Sequence, residues 1–116
     1  IVNEVIDSGL IAILHLDSNW TRELKRFKKL PKRKMIMALD GDTNIFQARK
    51  QLGDHVCLMG DVPAVLLAFG TKDEVAGYCR KLVQNLGPKG FILHSGCDIP
   101  TNAKLENVQA MLETIL

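Results

Sequence analysis

Met35-Ile-Met-Ala-Leu-Asp40-Gly-Asp42 is five apolar residues closed by an acidic turn. A short unbroken apolar run of this kind reads as a strand buried on both faces. Three other stretches have the same form: Ile11-Ala-Ile-Leu-His15-Leu-Asp17, Val56-Cys-Leu-Met-Gly-Asp61 and Phe91-Ile-Leu-His-Ser-Gly-Cys97. Segments of helical period lie between them. Apolar strands alternating with amphipathic helices specify an α/β fold, a parallel sheet covered by helices. In such sheets the chemistry collects at the carboxyl ends of the strands. Each of the four phrases ends there, on side chains able to bind a metal or move a proton.

Working outward, residues 1–8 read as the tail of a helix, with Val2, Val5 and Ile6 apolar and Gly9 as its cap. After the strand at 11–16, Asp17-Ser-Asn forms a turn, and Ser18 or Asn19 caps a helix from Trp20 that ends at Pro31. Leu24, Phe27 and Leu30 face inward along it. Asp42 or Thr43 caps a helix carrying Ile45, Phe46, Ala48 and Leu52, closed by Gly53. The third strand, 56–59, leads to a short apolar helix from Ala64 to Phe69. Thr71-Lys-Asp-Glu74 is a capping box, in which threonine oxygen and glutamate each satisfy a free backbone donor. Its helix buries Val75, Cys79, Leu82, Val83 and Leu86. The fourth strand is 91–95, and the last helix spans 105–116 on Val108, Met111, Leu112 and Ile115.

Four strand–helix units are half the eight of a (β/α)8 barrel, which typically takes about 250 residues. The 116 residues open on Ile1 in mid-helix, so residues 1–116 are expected to form one fragment of a larger barrel domain. A net charge of +2 gives no argument for nucleic acid. The basic run from Lys25 to Lys34 reads as solvated charge at a helix C-terminus, with no aromatic platform beside it. Three cysteines without framework spacing point to a reducing, cytoplasmic setting. No apolar run reaches the roughly 18 residues of a membrane span, and no membrane partner is expected.

His15 and Asp17 are two apart on a strand and leave the same face. With the sulfur of Cys97 they have the chemistry of a three-ligand zinc site with an open fourth position. The alternative is a histidine hydrogen-bonded in a crevice beside a turn aspartate. Asp42 and Asp61 are candidates to shape the pocket or take part in catalysis; both also suit turn chemistry. Cys57 and Cys79 read as core. His55 lies at the wrong end of its strand, and His94 reads as structural.

Several stretches together resemble the uroporphyrinogen decarboxylase superfamily. They are His15-Leu-Asp-Ser-Asn-Trp20, Leu39-Asp-Gly-Asp-Thr43, Leu58-Met-Gly-Asp-Val-Pro63, Gly70-Thr-Lys-Asp-Glu-Val75, Gly90 to Pro100, and Asn102 to Val108. The resemblance implies the C-terminal half of a (β/α)8 TIM barrel. The superfamily holds metal-free decarboxylases of a tetrapyrrole in porphyrin biosynthesis and zinc methyltransferases that exchange methyl groups with a corrinoid protein. The decarboxylases carry a histidine in the turn after the last strand, where this chain has Cys97. The methyltransferases carry a pattern similar to His-x-Cys with a distant cysteine; His15 and Cys97 match its outer members, and Asp17 replaces the middle thiolate. The resemblance to the second branch implies zinc on His15, Asp17 and Cys97, a small methylated substrate, a corrinoid protein partner, and Asp42 and Asp61 around the pocket. A carboxylate in place of a thiolate would harden the zinc and suit a methyl donor bound through oxygen or nitrogen. Decarboxylation of a tetrapyrrole is the rival expectation. The third is a non-catalytic fragment that associates with itself through open sheet edges or with a missing half.

Overall fold

The computed structural model describes residues 1–116. Four strands form one sheet in the order β1-β2-β3-β4: β1 (Ala12–Leu16), β2 (Met35–Leu39), β3 (Cys57–Val62) and β4 (Phe91–Ser95). Every neighbouring pair is parallel. Five helices accompany them: α1 (Val2–Asp7), α2 (Ile45–Leu52), α3 (Ala64–Phe69), α4 (Lys72–Leu86) and α5 (Leu105–Glu113). Four parallel strands with connecting helices are consistent with part of a (β/α)8 barrel.

Register separates the two faces. Ile13 pairs with Ile36 and His15 with Ala38; Ile36 pairs with Cys57 and Ala38 with Met59; Met59 pairs with Ile92. Side chains alternate along each strand, so these residues share one face. The opposite face carries Met35, Met37, Leu39 and Leu58, all buried. They pack with Ile45, Ala48 and Leu52 of α2 and with Val75, Cys79 and Leu82 of α4 in one apolar core. Burying such side chains contributes about 1.5–3 kcal/mol each. The first face is left open, with Ile13 59% and Ile92 39% exposed. In a closed barrel that face is the interior.

Local chemistry explains where the elements depart from the sequence expectation. The segment after β1 forms a 3-10 helix over Leu24–Lys29 instead of an α-helix from Trp20. Asn19 takes up the backbone N–H of Thr21 at 3.0 Å, and the Trp20 indole donates to the Asp17 carbonyl at 2.7 Å. The crowd of lysines and Arg26 disfavours a longer helix. Pro31 forces Leu30 to extended geometry. Leu24 is still fully buried, and Phe27 and Leu30 still pack on the core. Neither Asp42 nor Thr43 caps α2. Asn44 does so, accepting from Gln47 N at 2.9 Å. Thr43 is buried, and its hydroxyl accepts from Trp20 N and donates to Ser18 O, tying two loops together. The capping box at Thr71 and Glu74 is complete, and those bonds hold the Glu74 carboxyl below its ordinary range. β3 runs three residues beyond Met59. On α5 the buried residues are Asn107, Ala110 and Met111, whereas Leu112 and Ile115 are exposed.

Candidate active site

The carboxyl ends of the four strands gather the polar groups. At β1, His15 Nε2 lies 3.0 Å from Asp17 Oδ1, as their shared face requires. Both side chains are substantially exposed. At β2, Asp40 organises the loops: its Oδ2 accepts from Ser18 N and its Oδ1 from Asp42 N, each at 3.0 Å. Asp42 is exposed and enters this network only through its backbone N–H.

At β3, Asp61 is 3% exposed. Its Oδ1 accepts the Tyr78 hydroxyl of α4 at 2.7 Å. Gly60, Asp61 and Val62 are all buried, so the in-out alternation of the strand is lost here. Burial pushes the Asp61 carboxyl above its ordinary pKa, against the pull of the Tyr78 hydrogen bond, and Asp40 adds to the rise. Burial and the Asp61 carboxylate both push the Tyr78 hydroxyl up. Two glycines let the neighbouring backbones close in. A Cβ on Gly60, whose φ is +134°, would stand 2.5 Å from the Leu39 carbonyl oxygen; one on Gly96 would stand 2.6 Å from that of Asp40. Only glycine fits such approaches. The turn after β4 is therefore laid directly over the end of β2.

At β4, His94 pairs in register with Asp61 and shares the open face with Ile92. Its ring is exposed, with Nδ1 held against the Ser95 carbonyl. The sequence reading makes His94 structural; the structure places its exposed ring at the mouth. The signal was in the sequence: counted from Ile92, His94 falls on the same face one layer nearer the carboxyl end. Ser95 is buried and donates to the Cys97 carbonyl, and Cys97 itself is exposed.

Other assignments sort by place. His55 enters β3 from the amino end, its Nε2 2.9 Å from the Leu30 carbonyl, remote from the mouth as expected. Cys79 is buried in the core, and burial pushes its thiol up to about 11. Cys57 is not in the helix-covered core: it is half-buried on the open face.

The proposed zinc ligands divide. His15 and Asp17 meet, but β1 and β4 are the two edges of the sheet, and Cys97 follows β4. No three His, Cys, Asp or Glu side chains come close enough to share one ion. The donors of this sheet do not, as arranged, fit a three-ligand zinc site.

Comparison with known proteins matches residues 1–116 to the family described as "Uroporphyrinogen decarboxylase (URO-D)". Similar relatives include the uroporphyrinogen decarboxylases of Thioalkalivibrio sulfidiphilus, 35% identical over 81 residues, and of Hordeum vulgare, 32% identical over 79. The stretches cover 68% and 67% of this chain, and 22% and 23% of those proteins. The Danio rerio enzyme is 29% identical over 80 residues, 69% of this chain and 21% of its own. The match thus spans under a quarter of the length of these curated relatives. No helix is long and apolar enough to cross a membrane. A parallel sheet with its polar groups at the strand ends, matched from end to end, places this chain in the uroporphyrinogen decarboxylase family.

Proposed function

We propose that the protein carrying this chain is a carboxy-lyase acting on a tetrapyrrole, and that the chain supplies the C-terminal half of its barrel. One observation carries the reading: the strand ends form a polar mouth above an apolar floor. The floor is Ala38, Met59 and Ile92, which pair in a single layer with His15 at its β1 edge. Above it stand Asp61 with Tyr78, Asp40 with two backbone donors, and His94. A flat apolar macrocycle with charged substituents suits a floor and rim of this kind. The polar groups do not converge on one point as the ligands of a single ion would. The names of the similar relatives support the same chemistry.

In this reading the residues divide the work. Asp61 is the one carboxyl of the mouth whose pKa is raised, because burial disfavours its charge. Tyr78 fixes its orientation. Asp40 holds the β1 and β2 loops in place, which leaves Asp42 a rim position. Incubating the full-length protein with uroporphyrinogen should yield coproporphyrinogen. If the substrate is returned unchanged under conditions where a known decarboxylase converts it, the reading fails.

Methyl transfer from a small methylated substrate to a corrinoid protein is the second reading. It draws on the exposed Cys97 at the mouth and on the adjacent His15 and Asp17. It requires zinc on all three, and these donors do not converge in this sheet. Metal analysis of the full-length protein with and without His15→Ala tests it: stoichiometric zinc lost in the variant would favour this reading over decarboxylation.

A further inference from the structure

We propose that His94 is the substrate-contacting proton donor of the β4 side of the mouth, acting through Nε2 on a carboxylate-bearing tetrapyrrole. The assignment rests on the carboxy-lyase reading and deepens it.

Three features of the structure single out this side chain. Three aspartates of the strand ends are already engaged, Asp17 with His15, Asp40 with Ser18 N and Asp42 N, and Asp61 with Tyr78, while the exposed Asp42 and Asp98 carboxylates lie on loops beyond the strands. His94 is engaged at one nitrogen only. The Ser95 carbonyl can only accept, so it fixes the proton on Nδ1 and fixes the ring plane. Nε2 makes no hydrogen bond within the chain, on an exposed ring on the barrel-interior face. Finally, Ile92 lies directly beneath on the same face, so a macrocycle resting on the floor would present its rim to His94.

An imidazole pinned at Nδ1 is a donor at Nε2 when protonated and an acceptor when neutral, which is what decarboxylation asks of it. The bond between the side-chain methylene and its carboxylate breaks, and carbon dioxide leaves. The bonding electron pair stays on the substrate, and a proton from imidazolium Nε2 takes the vacated position. The neutral imidazole then recovers a proton from solvent. One proton enters and one carbon dioxide departs in each event.

Binding and turnover are to be measured separately on the full-length protein. With the histidines labelled with nitrogen-15, the oxidised ligand uroporphyrin should shift the His94 Nε2 resonance. Deuteroporphyrin, with fewer carboxylates, should shift it less. His94→Ala should lower turnover of uroporphyrinogen by about 100-fold or more, the scale of a lost general acid, and added imidazole should restore part of it. A merely structural role would give no such rescue. His94→Gln should bind uroporphyrin near normally yet remain slow. Uroporphyrin binding with the His94 resonance unmoved, or full turnover by His94→Ala, overturns the assignment and leaves the carboxy-lyase reading standing. Failure of the unmodified protein to bind uroporphyrin overturns both.

Discussion

Asn107 is fully buried on α5, and the apolar pattern of that helix points elsewhere. Its Nδ2 lies 3.1 Å from the Leu67 carbonyl and 2.9 Å from that of Gly70, at the C-terminus of α3. Helix ends leave carbonyls without partners, and here a side chain from a distant element supplies the donor. Asn107→Leu should lower stability by about 1–3 kcal/mol, because buried acceptors then stand unsatisfied; a urea midpoint unchanged from the parent would refute this. Hydropathy could not reveal the role, since an asparagine in an amphipathic helix reads as a surface residue. Asp61 poses a related problem. Its folded pKa is raised above the ordinary 3.8 by burial. Below that value the carboxyl is neutral in both states; as pH rises past it, the unfolded chain ionises first and stability falls. Asp61→Asn stays neutral and can still accept from Tyr78. Its unfolding midpoint, compared with that of the parent, should therefore gain more at pH 7 than at pH 4. An equal difference at the two values would count against the raised pKa. The sequence marked Asp61 as a strand-end group, but its partner Tyr78, seventeen residues on, is brought to it only by the packing of α4.

At the scale of elements, the strands were the most legible. β2 and β4 fall where the apolar runs place them, because a strand covered on one side by helices and on the other by a barrel interior needs no polar alternation. The capping box was equally plain. Thr71 and Glu74 are three residues apart and their bonds are local, so no tertiary information is needed to foresee them. Thr71→Ala should cost about 1 kcal/mol, with Thr71→Ser close to neutral; thermal melts of the two variants that coincide would speak against the cap. The segment after β1 was harder to read. Leu24 and Phe27 suit either an α-helix or a 3-10 helix, and the decision fell to Asn19, the lysine run and Pro31. The last helix was misplaced in rotation: its apolar residues number more than one face can hold, and the Asn107 anchor chooses which of them turn inward.

For the molecule as a whole, the sheet ends in two unpaired edges, β1 and β4, and its open face shows Ile11, Ile13 and Ile92. Unpaired edges and exposed apolar surface favour association. The 116-residue chain on its own should self-associate, with a sedimentation coefficient that rises with concentration. Ile13→Lys with Ile92→Lys should weaken that association. A wild-type chain that stays monomeric across the range would show that the edges are protected. Half of the candidate site was legible for the same reason that the fold was. Strand-end position is a matter of counting, so His15, Asp17, Asp61 and Cys97 could be placed at the mouth. Which of them meet depends on the order and curvature of the strands, and with β1 and β4 at opposite edges His15 and Asp17 stand apart from Cys97.

One feature at the far end of the sheet bears on how the protein can change. The Arg49 guanidinium donates to the carbonyls of Gly53 at 2.8 Å and Gly90 at 2.6 Å, and reaches that of Leu86 at 3.4 Å. It thereby fastens the ends of α2 and α4 and the entrance of β4 with one side chain, at the end remote from His94 and Asp61. Anchorage at the base frees the mouth to vary. A lineage, or a mutagenesis library, can exchange loop and strand-end residues for new specificities while Arg49 is kept, whereas drift at Arg49 would close off that exploration before any new activity appeared.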